Sequence, residues 1–244
     1  MTLRAQSLII TGMKGWVLRM SWEQVLFAHW PVPAAPLQAL LQPDLELDTF
    51  GGQAWLGIVP FRMTNVAPRF LPPLPGVSRF LELNVRTYVK HKGVSGVWFF
   101  SLDATSWLSV RGARMAYSLP YFDARISATQ TGQSIHYQSE RADWRSEPAT
   151  LDMRYEPTGP ARRSVPGTLD YWLTERYGLF AQTPGGRLVY SAIEHGPWPL
   201  QPARAEFEDL NMTAWMGLEL PPVPPLLHYA DVVHVHGGPP KWLR

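Results

Sequence analysis

A mainly β (α+β) fold, most simply a closed or nearly closed antiparallel barrel with two or three peripheral helices, is predicted by three observations. Nine segments rich in Val, Ile, Tyr, Phe and Trp read as strands bounded by Gly or Pro, most of them alternating. The 24 prolines are scattered along 244 residues instead of gathering in one linker, so they cut the chain into short pieces. Helical spacing shows in only two or three stretches. With no long low-complexity segment and no internal repeat, residues 1–244 read as a single domain.

In chain order, a helix is predicted over 36–41, where Leu37, Leu40 and Leu41 share a face. Strands follow over 53–63, 80–90 and 96–103; Pro72, Pro73 and Pro75 mark the loop between the first two. Lys90-His91-Lys92-Gly93 has the composition of a solvated hairpin tip. Strands over 124–128 and 134–141 flank Thr131-Gly132, a hairpin turn, and another runs over 150–155. Thr168 caps a helix over 169–176 that buries Leu169, Trp172 and Leu173. Strands over 187–194, 203–209 and 229–236 complete the set, with a short third helix over 211–217.

Composition removes whole classes of chemistry. Without Cys there is no disulfide, thiolate nucleophile, iron–sulfur cluster or Cys-ligated zinc. The 22 Lys+Arg nearly balance the 20 Asp+Glu, for a net +2, which leaves no electrostatic footprint for nucleic acid. Apolar runs are too short to cross a bilayer as helix, and the first residues lack the apolar core of a signal peptide, so a cytoplasmic protein without a membrane partner is expected. Neither a Gly-rich phosphate loop nor a Gly-x-Ser-x-Gly elbow occurs. No cofactor is expected; homo-oligomerisation is left open.

The most informative segment is Phe80-Leu81-Glu82-Leu83-Asn84-Val85-Arg86-Thr87-Tyr88. In a strand, Leu81, Leu83, Val85 and Thr87 share one face and Glu82, Asn84, Arg86 and Tyr88 the other. The polar face either meets water or lines an interior cavity. An acid, an amide, a guanidinium and a phenol, with no Lys among them, are the groups that fix a ligand and favour the cavity. The following strand is apolar on both parities, so it is covered on both faces, and if it pairs with the stripe Ser101 and Asp103 join the same polar wall.

Several blocks carry a resemblance. His29-Trp30-Pro31, Asp48-Thr49-Phe50-Gly51-Gly52, Glu82-Leu83-Asn84-Val85-Arg86-Thr87-Tyr88, Leu119-Pro120-Tyr121-Phe122, Thr174-Glu175-Arg176-Tyr177 and Pro197-Trp198-Pro199-Leu200 resemble the YqjF-like group, domain-of-unknown-function family 2071. The resemblance spans nearly the whole chain and implies a fold, not a reaction. That group is in turn similar to the acetoacetate decarboxylase superfamily, which implies a β-barrel cone around a small polar cavity.

In those enzymes a Lys after a Gly-Phe-Pro segment forms a Schiff base, an Arg lies six residues before the Pro, and an upstream strand carries a Glu. Here Arg114 lies six residues before Pro120, Ser118-Leu119-Pro120 is similar to Gly-Phe-Pro, and Glu82 is similar to the strand Glu. The positions after the Pro are Tyr121 and Phe122. A phenol does not condense with a ketone, so imine chemistry is disfavoured. The resemblance therefore implies catalytic roles for Glu82, Arg114 and Tyr121.

Arg86 and Arg114 either hold a carboxylate or enolate bidentately, or are neutralised internally, Arg86 by Glu82 or Asp103. Tyr121 is either a donor to a substrate oxygen or a core Tyr. Arg176 ends a helix, where a structural role suffices, and His29 and His195 read as structural. His234 and His236 share a strand face with His228 nearby, but no evident carboxylate completes a set of ligands, so no metal is expected.

The expected ligand is a small anionic organic molecule, carboxylated or enolisable, bound by Asn84, Arg86, Tyr88, Ser101 and Asp103 in a barrel without a Schiff-base lysine. Whether the barrel is an enzyme with Glu82 as base, a ligand sensor or carrier, or a structural protein is open. In the last case, loop tryptophans such as Trp198 form a partner surface.

Overall fold

The computed structural model describes residues 13–106, 111–112 and 115–243. Its strands are β1 (Leu18–Val32), β2 (Glu46–Leu47), β3 (Ala54–Pro68), β4 (Phe80–His91), β5 (Val94–Ala104), β6 (Tyr121–Thr131) and β7 (Ser134–Arg141). After these come β8 (Thr150–Pro157), β9 (Gly178–Gln182), β10 (Leu188–His195), β11 (Gln201–Asn211), β12 (Leu226–Gly237) and β13 (Lys241–Trp242). Helices α1 (Ala34–Ala39) and α2 (Leu169–Thr174) lie outside the strand order, as does a 3₁₀ turn at Ala214–Met216.

The sheet closes twice. Nine strands form one ring in the order β5-β6-β7-β8-β11-β12-β1-β3-β4, shut by the pairing of β4 with β5. A pairing of β10 with β12 shuts a second ring, β5-β9-β10-β12-β1-β3-β4, which shares five strands with the first. The fold is thus α+β with a closed barrel, as the alternation predicts. It is mixed, because β5 pairs parallel with both β6 and β9.

Sharing five strands explains why β4 is buried along both faces. Leu81, Leu83 and Val85 enter a core with Leu26, Ile58, Tyr137 and Met153 inside the nine-stranded ring. On the opposite parity Phe80 joins Phe27, Phe61, Met63 and Trp198 in a separate core inside the smaller ring. Each fully buried aliphatic or aromatic side chain stabilises by roughly 1.5–3 kcal/mol. The common wall is therefore held from both sides.

β1 also divides between the cores, Val25 and Phe27 to one side and Leu26 and Ala28 to the other. It carries an irregularity between Glu23 and Ala28, with Gln24 at φ 55. Lys92 and Gly93, at φ 48 and 79, form the two-residue turn of the β4–β5 hairpin. Positive φ at both positions suits the twist of a two-residue hairpin. Thr168 caps α2 by accepting from the Tyr171 amide.

Candidate functional site

A cavity of about 330 Å³ lies inside the smaller ring. β4 supplies Phe80, Glu82, Asn84 and Arg86 to its wall, since alternate residues of one strand point the same way. Tyr121 borders it from the start of β6, Thr174 and Arg176 from the end of α2, His195 from β10, and Trp198 from the loop before β11. The rest of the lining is mostly apolar, with Met20, Val59, Phe61, Met63, Phe99 and Leu102 among its members. The small polar cavity expected from the sequence is thus an apolar chamber with polar groups along one wall.

Two polar stations occupy that wall. At the first, the Tyr121 hydroxyl donates to Glu82 Oε2 at 2.9 Å, and the Asn84 amide also bonds the Glu82 carboxyl. Burial pushes the Glu82 carboxyl up to about 8, more than these hydrogen bonds hold it down. Burial, then the neighbouring Glu82, raises Tyr121 well above the usual phenol range. At neutral pH the station is therefore an uncharged carboxylic acid beside a phenol.

The second station is cationic. Arg86 is 8% exposed, and its guanidinium sits 5.2 Å from the Phe27 ring centroid and 5.8 Å from that of Tyr88. No ion pair joins it to a carboxylate among the described residues, and the remainder of the chain contains no Asp or Glu. Neither Glu82 nor Asp103 neutralises it. Arg176 is held differently: its Nη1 meets Asp48 at 2.7 Å, Lys90 meets the same carboxylate at 2.6 Å, and its Nε donates to the Trp172 carbonyl. Two guanidiniums thus border the cavity with only one carboxylate between them and Lys90.

The positive charge is felt nearby. Burial first, then Arg86 and His228, holds His29 well below its usual value, so it is neutral. Tyr88 donates to the Leu173 carbonyl at 2.8 Å, which leaves His29 Nε2 to donate to the phenol oxygen at 2.6 Å. His195 is also lowered, chiefly by burial and against the pull of the Gly196 carbonyl and Glu175.

Six buried polar atoms on cavity-lining side chains have no protein partner among the described residues: Trp22 Nε1, Asn84 Oδ1, Arg86 Nε, Tyr117 Oη, Arg176 Nη2 and Trp198 Nε1. Five of the six are donors, the Asn84 oxygen being the exception. Buried polar groups without partners are costly, so native structures rarely leave several in one place. The two charged donors among them, Arg86 Nε and Arg176 Nη2, are complementary to an anion.

Glu82, Asn84, Arg86 and Tyr121 therefore come together. Tyr88 shares their strand face, but its hydroxyl is taken up by His29, the Leu173 carbonyl and the Arg86 guanidinium, and it does not border the cavity. Ser101 and Asp103 point the other way. β5 does pair with β4, but a bulge at Phe100 opposes Ser101 to Val85 and Asp103 to Leu83, which transfers both to the far face. There Asp103 pairs with Arg141, Nη2 to Oδ1 at 2.9 Å, with burial pushing its carboxyl up to about 6. Arg114 lies outside the described residues.

Arg176 and His195 at the cavity were not apparent as site residues, and Trp198, read as a loop residue for a partner surface, is 2% exposed and faces inward. The tryptophan had one signal, its place in the Pro197-Trp198-Pro199-Leu200 block. All four lysines of the chain, Lys14, Lys90, Lys92 and Lys241, are described and none borders the cavity. His228, His234 and His236 have separate partners, Asp170, Ser21 and Glu194. No group of three metal-binding side chains gathers among the described residues, and no helix there is long and apolar enough to cross a membrane.

Gly57 makes room for the cationic station. A Cβ at this position would lie 3.0 Å from His29 Cδ2 and 3.4 Å from Arg86 Cγ, both on buried strands with little freedom to shift. Gly57→Ala is expected to cost about 1–3 kcal/mol in urea unfolding, as overpacking does, and to displace the Arg86 side chain.

Solved structures with the same arrangement of strands define the class. Acetoacetate decarboxylase from Legionella pneumophila superposes with a TM-score of 0.66 at 13% identity, over 96% of this chain and 90% of that one. The enduracididine biosynthesis enzyme MppR complexed with pyruvate gives 0.65 at 13%, over 96% and 93%. An acetoacetate decarboxylase-like enzyme from Sphingomonas wittichii RW1 gives 0.64 at 16%, over 93% of each chain. At these identities the likeness is one of fold: an acetoacetate decarboxylase-like barrel.

The chain belongs to the DUF2071 family (uncharacterized conserved protein), whose model matches residues 19–234. It is 46% identical over 231 residues to the uncharacterized protein YqjF of Bacillus subtilis (strain 168), covering 94% of each.

Proposed function

We propose that this barrel binds a small organic carboxylate at Arg86 and enolises it by proton transfer through Glu82, without a covalent imine. The observation that carries the reading is the buried Arg86 guanidinium, on a cavity wall and without a carboxylate partner among the described residues. A buried cation is unfavourable until an anion meets it, and a guanidinium matches a carboxylate in a bidentate fork.

Glu82 supplies the proton chemistry. A carboxyl raised to about 8 serves as acid and base near neutral pH. Protonated, it donates to a ligand carbonyl oxygen; ionised, it accepts a proton from the adjacent carbon. Tyr121 orients it through the 2.9 Å hydrogen bond and Asn84 through its amide. The bound pyruvate in the structurally similar MppR supports a 2-oxo acid as the first probe. With no lysine on the wall, the amine of a Schiff base is not among the cavity residues. The apolar remainder of the lining favours a second reading, a non-catalytic carrier or sensor using the same anion station.

Proton NMR of 2-oxo acids in D₂O tests this. The protein is expected to speed exchange of the protons adjacent to the ketone. Glu82→Gln should lose the exchange while retaining binding, and Arg86→Met should lose both. Binding without exchange would leave the carrier reading in place, and exchange indifferent to Glu82→Gln would remove Glu82 from the chemistry. Borohydride added to the mixture should leave the protein mass unchanged.

A further inference from the structure

We propose that the ligand is an amphipathic acid, a carboxylate with a hydrocarbon body of roughly six to ten carbons, lying along β4 with its head at Arg86 and its tail toward Phe80. This rests on the carboxylate reading above and adds to it the class of molecule that fills the chamber.

Volume is the first argument. At about 30 Å³ per non-hydrogen atom, the share a water takes in the liquid, 330 Å³ holds roughly eleven such atoms. A three-carbon oxo acid has about half that number and would leave an apolar void around itself. Voids of that kind forfeit contacts on every wall.

Direction is the second. Phe80, Glu82, Asn84 and Arg86 line the cavity over seven residues of one strand, about 20 Å for six steps of 3.3 Å. Register places Arg86 opposite Gly57 at one end and Phe80 opposite Met63 at the other. The two guanidiniums are therefore at one end, and the surface away from Arg86 is formed by side chains such as Met20, Phe61 (opposite Glu82), Met63 and Phe80. A hydrocarbon laid there exchanges water for apolar contact. Met20 and Met63 have unbranched, adaptable side chains that accept tails of differing shape. The uncharged Glu82–Tyr121 pair part-way along the wall can meet such a body without burying a charge.

Straight-chain carboxylates from acetate to dodecanoate, kept below their aggregation concentrations, test the inference by calorimetric titration, with the methyl esters as neutral controls. The dissociation constant is expected to fall about fourfold with each added methylene, reach a minimum near eight to ten carbons (roughly the chamber's capacity), and rise beyond it. Val66→Phe, on the cavity wall beyond Met63, fills the tail region and should move the minimum to shorter acids, and Met63→Ala should move it to longer ones. Either variant suffices if the other fails to fold. Esters should bind more weakly than their acids.

Acids that bind equally at every length would overturn the amphipathic ligand and leave the anion station standing. Failure of acids of every length to bind would instead remove the carboxylate reading itself. Affinity that rises with length without a minimum, indifferent to both variants, would mark adsorption to the surface and overturn the inference.

Discussion

Glu82→Gln is expected to flatten the pH dependence of folding stability between about pH 4.5 and 8. The buried carboxyl is pushed from its ordinary 4.5 up to about 8, so over this interval the folded protein keeps a proton that the unfolded chain has released. A state that holds more protons loses stability as pH rises. The contribution is therefore fully present below pH 4.5, declines through the window, and is gone above pH 8. Its span is on the order of 5 kcal/mol, at 1.36 kcal/mol for each tenfold change in proton affinity.

Gln keeps the shape and an acceptor for the Tyr121 hydroxyl but has nothing to ionise. Urea unfolding at a series of pH values should find the two proteins similar near pH 5 and the variant more stable at pH 9. Asp103, raised to about 6, adds a slope of the same sign at lower pH but is present in both proteins, so it cancels in the difference. Parallel curves would mean that Glu82 is ionised throughout and hydrated.

Arg86→Met is expected to separate stability from binding, with opposite signs. The guanidinium is buried without a carboxylate partner among the described residues, so its replacement by a neutral side chain of similar reach removes a desolvation penalty. Thermal unfolding without ligand should shift upward, by about 1–4 kcal/mol if the penalty resembles those of other buried charges. Affinity for a carboxylate should fall about 10²–10³-fold, the usual consequence of removing one side of a desolvated charge pair.

Arg141→Met makes the reverse case. Arg141 is the partner of Asp103, so its loss strands a buried carboxylate and should destabilise by about 3–5 kcal/mol while leaving ligand affinity unchanged. If Arg86→Met destabilises as Arg141→Met does, the guanidinium belongs to an internal network and not to a ligand site.

These side chains also show what was legible in the sequence. The β4 stripe was readable because a strand repeats every two residues, and its acid, amide and guanidinium were unusual choices for a solvated face. Ser101 and Asp103 were not, because one extra residue at Phe100 reverses parity and nothing in Phe99-Phe100-Ser101 announces it. β1, at 15 residues one of the two longest strands, was missed since its second half, from Val25, is largely apolar on both parities and its register slips near Gln24. Arg176 and His195 reach the wall only through the second closure of the sheet, where β10 meets β12. The apolar character of the chamber likewise comes from seven strands at once, and no single segment encodes it.

The most direct measurement is a crystal structure of the protein with a bound eight-carbon carboxylate. The carboxylate is expected within hydrogen-bond distance of the Arg86 guanidinium, with the hydrocarbon running past Asn84 and Glu82 toward Phe80 and Met63. A carboxylate turned outward to solvent, or density only on the outer surface, would contradict the assignment of Arg86 as the anion site.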